Sequence, residues 1–366
     1  MKIALLGDVA LFGRHSIATG PVALEYFDEV AGYLGQFDHV IANLETPFVE
    51  SGSPVGPKSA YIKSEPQNVA LLKHVGIGIV NLANNHIFDY GPSGYACTRE
   101  VLADAGIQAF GVDGQEVHLA DQSASVALQG YCAYNTNPLG VSRHPGRSGI
   151  NPLDVPRVIN RMRENAANGL LNIVSVHSGW EHVNFPSRED ILMARMLAKV
   201  CPYVYYGHHP HVIQGIETQN GSLLAYSVGN FCFDDVYTEH SSEPLIRQSK
   251  NNRTGMIVGI EVVGDKLVSH SVRFLFQGNE RMSLDPPGAL EDLERYSAAL
   301  SCDTHAYEEM RQDLIQCYLG ERKSLRDAQW YLKRMRLRYL ELLLRSKLNQ
   351  RAQDRCVGRH VGKAPQ

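Results

Sequence analysis

Five short apolar runs in the first 210 residues each lead into a residue able to hold a metal ion or a proton. "KIALLG" runs into Asp8, and "HVIAN" carries Asn43 and runs on to Glu45 in "NLETP". "GIVNLA" runs into Asn84, Asn85 and His86, and "IVSV" into His177 in "HSGWE". "YVYYG" runs into His208, His209 and His211 in "GHHPH". Apolar runs of this length without alternation suit strands buried on both faces, which requires layers packed above and below them.

The segments between the runs have helical spacing. "PQNVALLKHVG" places Val69, Leu72 and Val75 on one face. "SGYACTREVLADAG" suggests a helix opening on a serine cap at Ser93 and closing on glycine. "SREDILMARMLAKV" starts with Ser187 and carries Glu189 and Asp190 in its first turn, a favourable helix start. After "GNFCFDD" the pattern becomes a hairpin, "GMIVGIEVVGDKLVSHSVRFLF", turning on Gly264-Asp265 with alternation in its second arm. Strands alternating with helices and followed by a hairpin predict an α/β fold with mixed sheets.

In open α/β sheets, sites form at the carboxyl ends of the strands. If the five strands share a sheet and a polarity, their loops meet on one rim. Two carboxylates, an amide and several imidazoles then converge. This mixed nitrogen and oxygen set suits zinc, manganese or ferrous iron better than the all-oxygen sites of calcium and magnesium. Taken singly, each residue also has an ordinary reading: an aspartate after a strand is often a turn residue, and Asn-Asn-His fits a turn with a core histidine. "GHHPH" is more specific, because Pro210 fixes the backbone between two histidines.

From about Pro286 the chain reads as all-helical, which divides it into residues 1–284 and a helical appendage, 285–366. Within the appendage, Leu325, Ala328, Leu332, Met335, Tyr339 and Leu342 alternate in steps of three and four, a seam for helix packing. Residues 321–351 carry a net charge of +7, against −4 for the whole chain. The seam suits an intramolecular contact or a dimer, and the charge suits an anionic surface. Any membrane contact is then peripheral. The overall charge gives no general affinity for nucleic acid. The seven cysteines are scattered without a C-x-x-C pair, as expected of reduced thiols, and lack the spacing of a cysteine zinc site. "MKIALLGDVA" lacks the length and cleavage site of a secretory signal, and no run of about 20 apolar residues occurs, so the chain reads as cytoplasmic.

The order Gly-Asp, Asn-Leu-Glu, Asn-Asn-His, His-x-Gly, Gly-His-His-Pro-His and then "YSVGNFCFD" resembles the CapA-type capsule and poly-γ-glutamate synthesis proteins. These are similar to the calcineurin-like metallophosphoesterases. The resemblance covers about residues 1–275. It implies a four-layer α/β/β/α sandwich of the metallophosphoesterase type, with two divalent ions (manganese, iron or zinc) at one end of the sheets. By this resemblance Asp8 and His211 bind the first ion and Glu45 bridges. Asn85, His177 and His209 bind the second, and His86 beside Asn85 is the general acid. His208 can replace either of the other two histidines or contact substrate. Lys58, in "GPKSAYIKS", would hold an anionic substrate group. Glu181 would orient His177 or a bound water, and Asn230 would support the rim.

Two departures stand out from the phosphoesterase pattern. Ala10 occupies the place of a histidine, and the bridging carboxylate is Glu45 rather than an aspartate. The first ion is thereby short of a ligand, which His15 could supply. The resemblance implies a metal-dependent hydrolase of capsule, exopolysaccharide or poly-γ-glutamate metabolism, acting on an anionic polymer or a phosphoester. The missing ligand motivates the alternative, a non-catalytic metal-binding assembly subunit of a polymer-synthesis complex. Its partner, or a second copy, would then dock on the C-terminal helices.

Overall fold

The computed structural model describes residues 1–18, 24–56, 58, 60–141, 149–237 and 243–324, with Leu344, Lys347, Leu348, Arg351 and Arg355 beyond them. The helical seam expected over 325–342 lies outside the described residues.

Fourteen strands are described, in two sheets. The first sheet contains β1 (Lys2–Val9), β2 (His39–Leu44), β3 (Ile79–Asn81), β4 (Gln108–Phe110), β11 (Asn230–Cys232), β12 (Thr254–Val263), β13 (Lys266–Gln277) and β14 (Met282–Leu284). Its order is β14-β13-β12-β1-β2-β3-β4, and β11 also pairs with β1. The second sheet contains β5 (Val117–Ala120), β6 (Ser125–Cys132), β7 (Leu171–His177), β8 (Tyr203–His208), β9 (Ile216–Gln219) and β10 (Ser222–Ala225), ordered β5-β6-β7-β8-β10-β9. Strands β1 to β4 are mutually parallel, as are β6, β7, β8 and β10; both sheets also hold antiparallel pairs.

The five site-bearing strands are therefore divided, with β1, β2 and β3 in one sheet and β7 and β8 in the other. Convergence on one rim comes from packing the two sheets face to face rather than from a single sheet. Side chains alternate across β1 accordingly. Ile3 and Leu5 enter a core shared with Ile173 and Val204 of the second sheet, which lie on the face of Tyr206. Ala4 and Leu6 face a separate core with helices α1 (Asp28–Leu34), α2 (Val69–Val75) and α3 (Gly91–Asp104). Helices α4 (Val155–Ala167) and α5 (Arg188–Leu197) cover the other side of the second sheet. The result is a four-layer α/β/β/α sandwich. Tyr206 ties its two sheets together by donating its hydroxyl to Leu6 O and Ile41 O.

Two glycines let backbones approach behind the site. A Cβ on Gly7 would lie 2.0 Å from Gly229 O, and one on Gly207 1.8 Å from Tyr226 O. The hairpin turns at Gly264-Asp265 as expected, but β13 does not alternate in burial; Val268 is exposed. Helix α3 begins at Gly91-Pro92 rather than after Ser93, because proline suits the first turn, and the Ser93 hydroxyl bonds back to Tyr90 O. Ser187 caps α5 by accepting from Asp190 N.

Beyond the short α6 (Lys250–Arg253), α7 (Ala289–Ala299) and α8 (Thr304–Ser324) follow the sheets. Leu293, Tyr296 and Ala299 of α7 and Tyr307 of α8 join the core of the second sheet. Among the described residues no helix is long and apolar enough to cross a membrane.

Candidate metal centre

Asp8, the last but one residue of β1, lies opposite Asn43 of β2 and Asn230 of β11. Its Oδ1 accepts from Asn43 Nδ2 at 2.8 Å, and its Oδ2 from the His209 backbone N–H at 3.2 Å. His211 Nδ1 lies 3.3 Å from Asp8 Oδ2 and 2.9 Å from Asn230 Oδ1. Burial opposes ionisation of Asp8, but His208 and His211 overcome it and hold its pKa well below the usual value.

After β3 the chain turns through Asn84, whose Oδ1 accepts from the N–H groups of His86 and Ile87. That turn aims Asn85 and His86 inward. Asn85 Oδ1 lies 3.0 Å from His177 Nε2, at the end of β7. After β8, His209 and His211 flank Pro210 with φ of 95° and 57°. Left-handed backbone is uncommon at non-glycine residues and gathers at functional sites.

Glu45 lies among these groups. Its Oε1 is 3.7 Å from His177 Nε2, 3.8 Å from His211 Nε2 and 4.0 Å from His86 Nε2. The side chain is fully buried, yet neither oxygen receives a hydrogen bond from the described residues. Burial pushes its pKa up to about 8. A buried carboxylate without donors is unfavourable unless a cation balances it. Two donors each about 2.1 Å from a shared tetrahedral ion lie about 3.4 Å apart, close to these separations. Glu45 also belongs to two ligand triads, Glu45–His177–His209 and Asp8–Glu45–His211. The residues present thus fit divalent ions held on either side of Glu45. Burial pulls His177 down, and His209 down to about 3. It pulls on His211 too, but Glu45 and Asp8 outweigh it and raise that group to about 10.

His86 is held from the side away from Glu45. Its Nδ1 is 2.6 Å from Asp89 Oδ2. Lys58 and His86 outweigh burial and keep Asp89 below its ordinary pKa. An ionised carboxylate only accepts, so Nδ1 carries the proton and Nε2 is the titrating atom. Burial, then Lys58, lowers the His86 pKa. Asp89 is the site residue that the sequence reading missed; its signal was its position three residues after His86 in "NNHIFD".

The remaining expected residues divide. Lys58 was expected at a substrate anion, but its ammonium is buried and engaged. It donates to Asp89 Oδ1 at 2.7 Å and Asn85 O at 2.5 Å, and lies 3.1 Å from His86 Nδ1. His208, expected as an alternative ligand or substrate contact, is fully buried and belongs to neither triad. As the last residue of β8 it packs on Tyr206, with Nδ1 3.2 Å from Asp8 Oδ1. His15 does not complete the first triad; its Nε2 bonds Gln277 Oε1 at 3.1 Å, beside Tyr26 and Phe27. Ala10 sits in a small apolar cluster with Ile62, Phe233 and Val236. Asn230 holds His211 and donates to Asn252 O. His177 is bracketed by Asn43 and Asn85, while Glu181 accepts from Tyr318 of α8.

A four-layer sandwich with a buried carboxylate–imidazole cluster at its strand ends defines a candidate divalent-metal protein. The sequence model described as bacterial capsule synthesis protein PGA_cap matches residues 2–235, and the chain belongs to that family. It is similar to the capsule biosynthesis protein CapA of Bacillus anthracis, 26% identical over 272 residues, covering 70% of this chain and 66% of that protein. It is equally similar to the PGA biosynthesis protein CapA of Bacillus subtilis, 26% identical over 267 residues, covering 70% and 69%. A probable polyglutamine synthesis accessory protein of Mycobacterium tuberculosis is 27% identical over 219 residues, covering 54% and 56%. The match thus spans about two thirds of the length of the two CapA relatives. Among solved structures, the sulfate thiohydrolase SoxB of Thermus thermophilus aligns at a TM-score of 0.41 and 11% identity, covering 78% of this chain and 48% of that one.

Proposed function

We propose that this protein is a metal-dependent hydrolase of capsule or poly-γ-glutamate metabolism, acting on a phosphoester or an amide-linked anionic polymer. The observation that carries this reading is Glu45, buried without a hydrogen-bond donor among the described residues and shared by two ligand triads. Asp8, Glu45 and His211 would hold one ion, and Glu45, His177 and His209 the other, with Asn85 beside His177. Bound there, divalent ions supply Lewis acidity toward a phosphoryl or carbonyl oxygen and a source of nucleophile at neutral pH. The chain's own residues do the rest. Asp89 orients His86 so that Nε2 faces the cluster, where it can take up a proton and, once protonated, hand one to a leaving group. Lys58 fixes the turn through Asn85 O and keeps Asp89 ionised. The names of the relatives support the metabolic assignment, and the ligand set supports the chemistry.

The test is turnover of a phosphodiester, a phosphomonoester and a γ-glutamyl peptide by protein loaded with manganese, iron or zinc. Metal-dependent turnover on one of them, lost in His209→Ala, is the expected result. A second reading, a non-catalytic assembly subunit, is favoured by Ala10, whose apolar surroundings leave the first triad with three side-chain ligands. One ion or none per chain, with no turnover, would select it.

A further inference from the structure

Helix α8 lies beyond the segment matched by the family, yet one of its side chains reaches the metal cluster's surroundings. Tyr318 donates its hydroxyl to Glu181 Oε2 at 2.8 Å. Its ring stacks on His182, with centroids 5.1 Å and planes 27° apart. Both partners belong to the loop that leaves β7 just after His177. The helix is pinned to the same stretch of chain, because Tyr307 donates to Pro186 O and Arg188 bonds Thr304.

Each partner of Tyr318 is tied in turn to the cluster. The charge of Glu181 acts on Glu45, His209 and His211. His182 Nδ1 accepts from Asn252 Nδ2 at 2.8 Å, and the same amide donates to His211 O at 3.0 Å. The His182 and His211 rings lie 6.4 Å apart. His182 also has a φ of 63°, a conformation that its contacts must hold in place.

We propose that Tyr318 is a positioning residue of the metal centre. It fixes the Glu181 carboxylate where its charge bears on the ligands and braces His182 behind His211, so metal affinity depends on helix α8. This rests on the metal-binding reading above. A fixed carboxylate near the ligands favours a cation by charge and needs no ordering when the cation arrives.

The experiment is calorimetric titration of the full chain with Mn²⁺ and with Zn²⁺, for wild type, Tyr318→Phe, Glu181→Gln and the double variant. Urea unfolding in chelator accompanies each. Tyr318→Phe keeps the stacked ring and removes only the hydroxyl. It is expected to weaken binding on the order of tenfold, as the loss of groups that orient ligands does, with an unchanged metal-free unfolding midpoint. If Tyr318 acts through Glu181, the double variant binds no more weakly than Glu181→Gln alone. Wild-type affinity in Tyr318→Phe, alongside weakened binding in Glu181→Gln, would overturn the proposal and leave the metal centre standing. Additive losses, or a lost affinity matched by a fall in metal-free stability, would also overturn it. Failure of the wild type to bind either ion would instead remove the metal-binding reading itself.

Discussion

Replacing Asp89 with asparagine should destabilise the metal-free protein by about 3 kcal/mol at pH 7. The Asp89 carboxylate is fully buried and takes the Lys58 ammonium at 2.7 Å, His86 Nδ1 at 2.6 Å and the Ile62 N–H at 3.1 Å. The Lys58 side chain is only 6% exposed. Removing one partner of a buried ion pair costs about 3–5 kcal/mol, because the other charge is left uncompensated. The low end applies here, since Lys58 keeps Asn85 O and the new amide keeps one acceptor oxygen. Lys58→Met strands the carboxylate in the same way, although His86 can partly neutralise it. The double variant removes both charges, so its cost should fall at least about 2 kcal/mol short of the sum. The pH dependence has a definite sign. The folded pKa of Asp89 is depressed, so its contribution is present above about pH 4, the ordinary carboxylate range, and is lost as pH falls through the folded pKa. The gap between wild type and Asp89→Asn should therefore close on acidification. Urea unfolding in chelator, followed by fluorescence and circular dichroism to check for a single transition, measures all four proteins. A cost below about 1 kcal/mol, or additivity within about 0.5 kcal/mol, would refute the reasoning.

Three further outcomes follow from the site and its supports. In the metal-free protein burial pushes Glu45 up to about 8, and Glu45 and Asp8 outweigh burial to push His211 up to about 10, so ions that bind at pH 7 must displace their protons. Calorimetry in two buffers of different ionisation enthalpy should find proton release, and affinity should rise with pH from 7 toward about 10, where His211 too loses its proton; binding without release would contradict the assignment. Because both triads share Glu45, elemental analysis should find Glu45→Gln losing more bound metal than His209→Ala, and equal losses would argue against a bridging role. Gly207→Ala puts a Cβ 1.8 Å from the Tyr226 carbonyl oxygen, a backbone atom with little freedom to yield. A loss of soluble yield, or destabilisation of roughly 3 kcal/mol on unfolding, is expected, and a wild-type midpoint would show that β8 and the segment after β10 are not packed this closely.

Much of the site was legible because it is written locally. An apolar run with a polar terminus is a property of consecutive residues, and Asp8, Glu45, Asn85, His86, His177, His209 and His211 all stand at or just after such termini. Ser187 as a helix cap and the turn at Gly264-Asp265 were readable for the same reason: capping and tight turns depend on a few neighbouring residues. Asp89 was within reach, three positions from His86, but its role depends on Lys58, which arrives from a separate loop.

Periodicity and residue type act over short spans, and they alone specify buried strands ending in side chains able to ligate a metal. How those ends meet depends on the packing of the layers. Packing two sheets face to face, with β1, β2 and β3 opposite β7 and β8, brings Glu45 among histidines from three different strand ends. The same packing turns His208 inward against Tyr206 while the backbone around Pro210 presents His209 and His211. It also engages Lys58 with Asp89, surrounds Ala10 with apolar groups and sets Tyr318 against Glu181. Each of these depends on residues far apart in the chain, whose proximity exists only once the layers have packed.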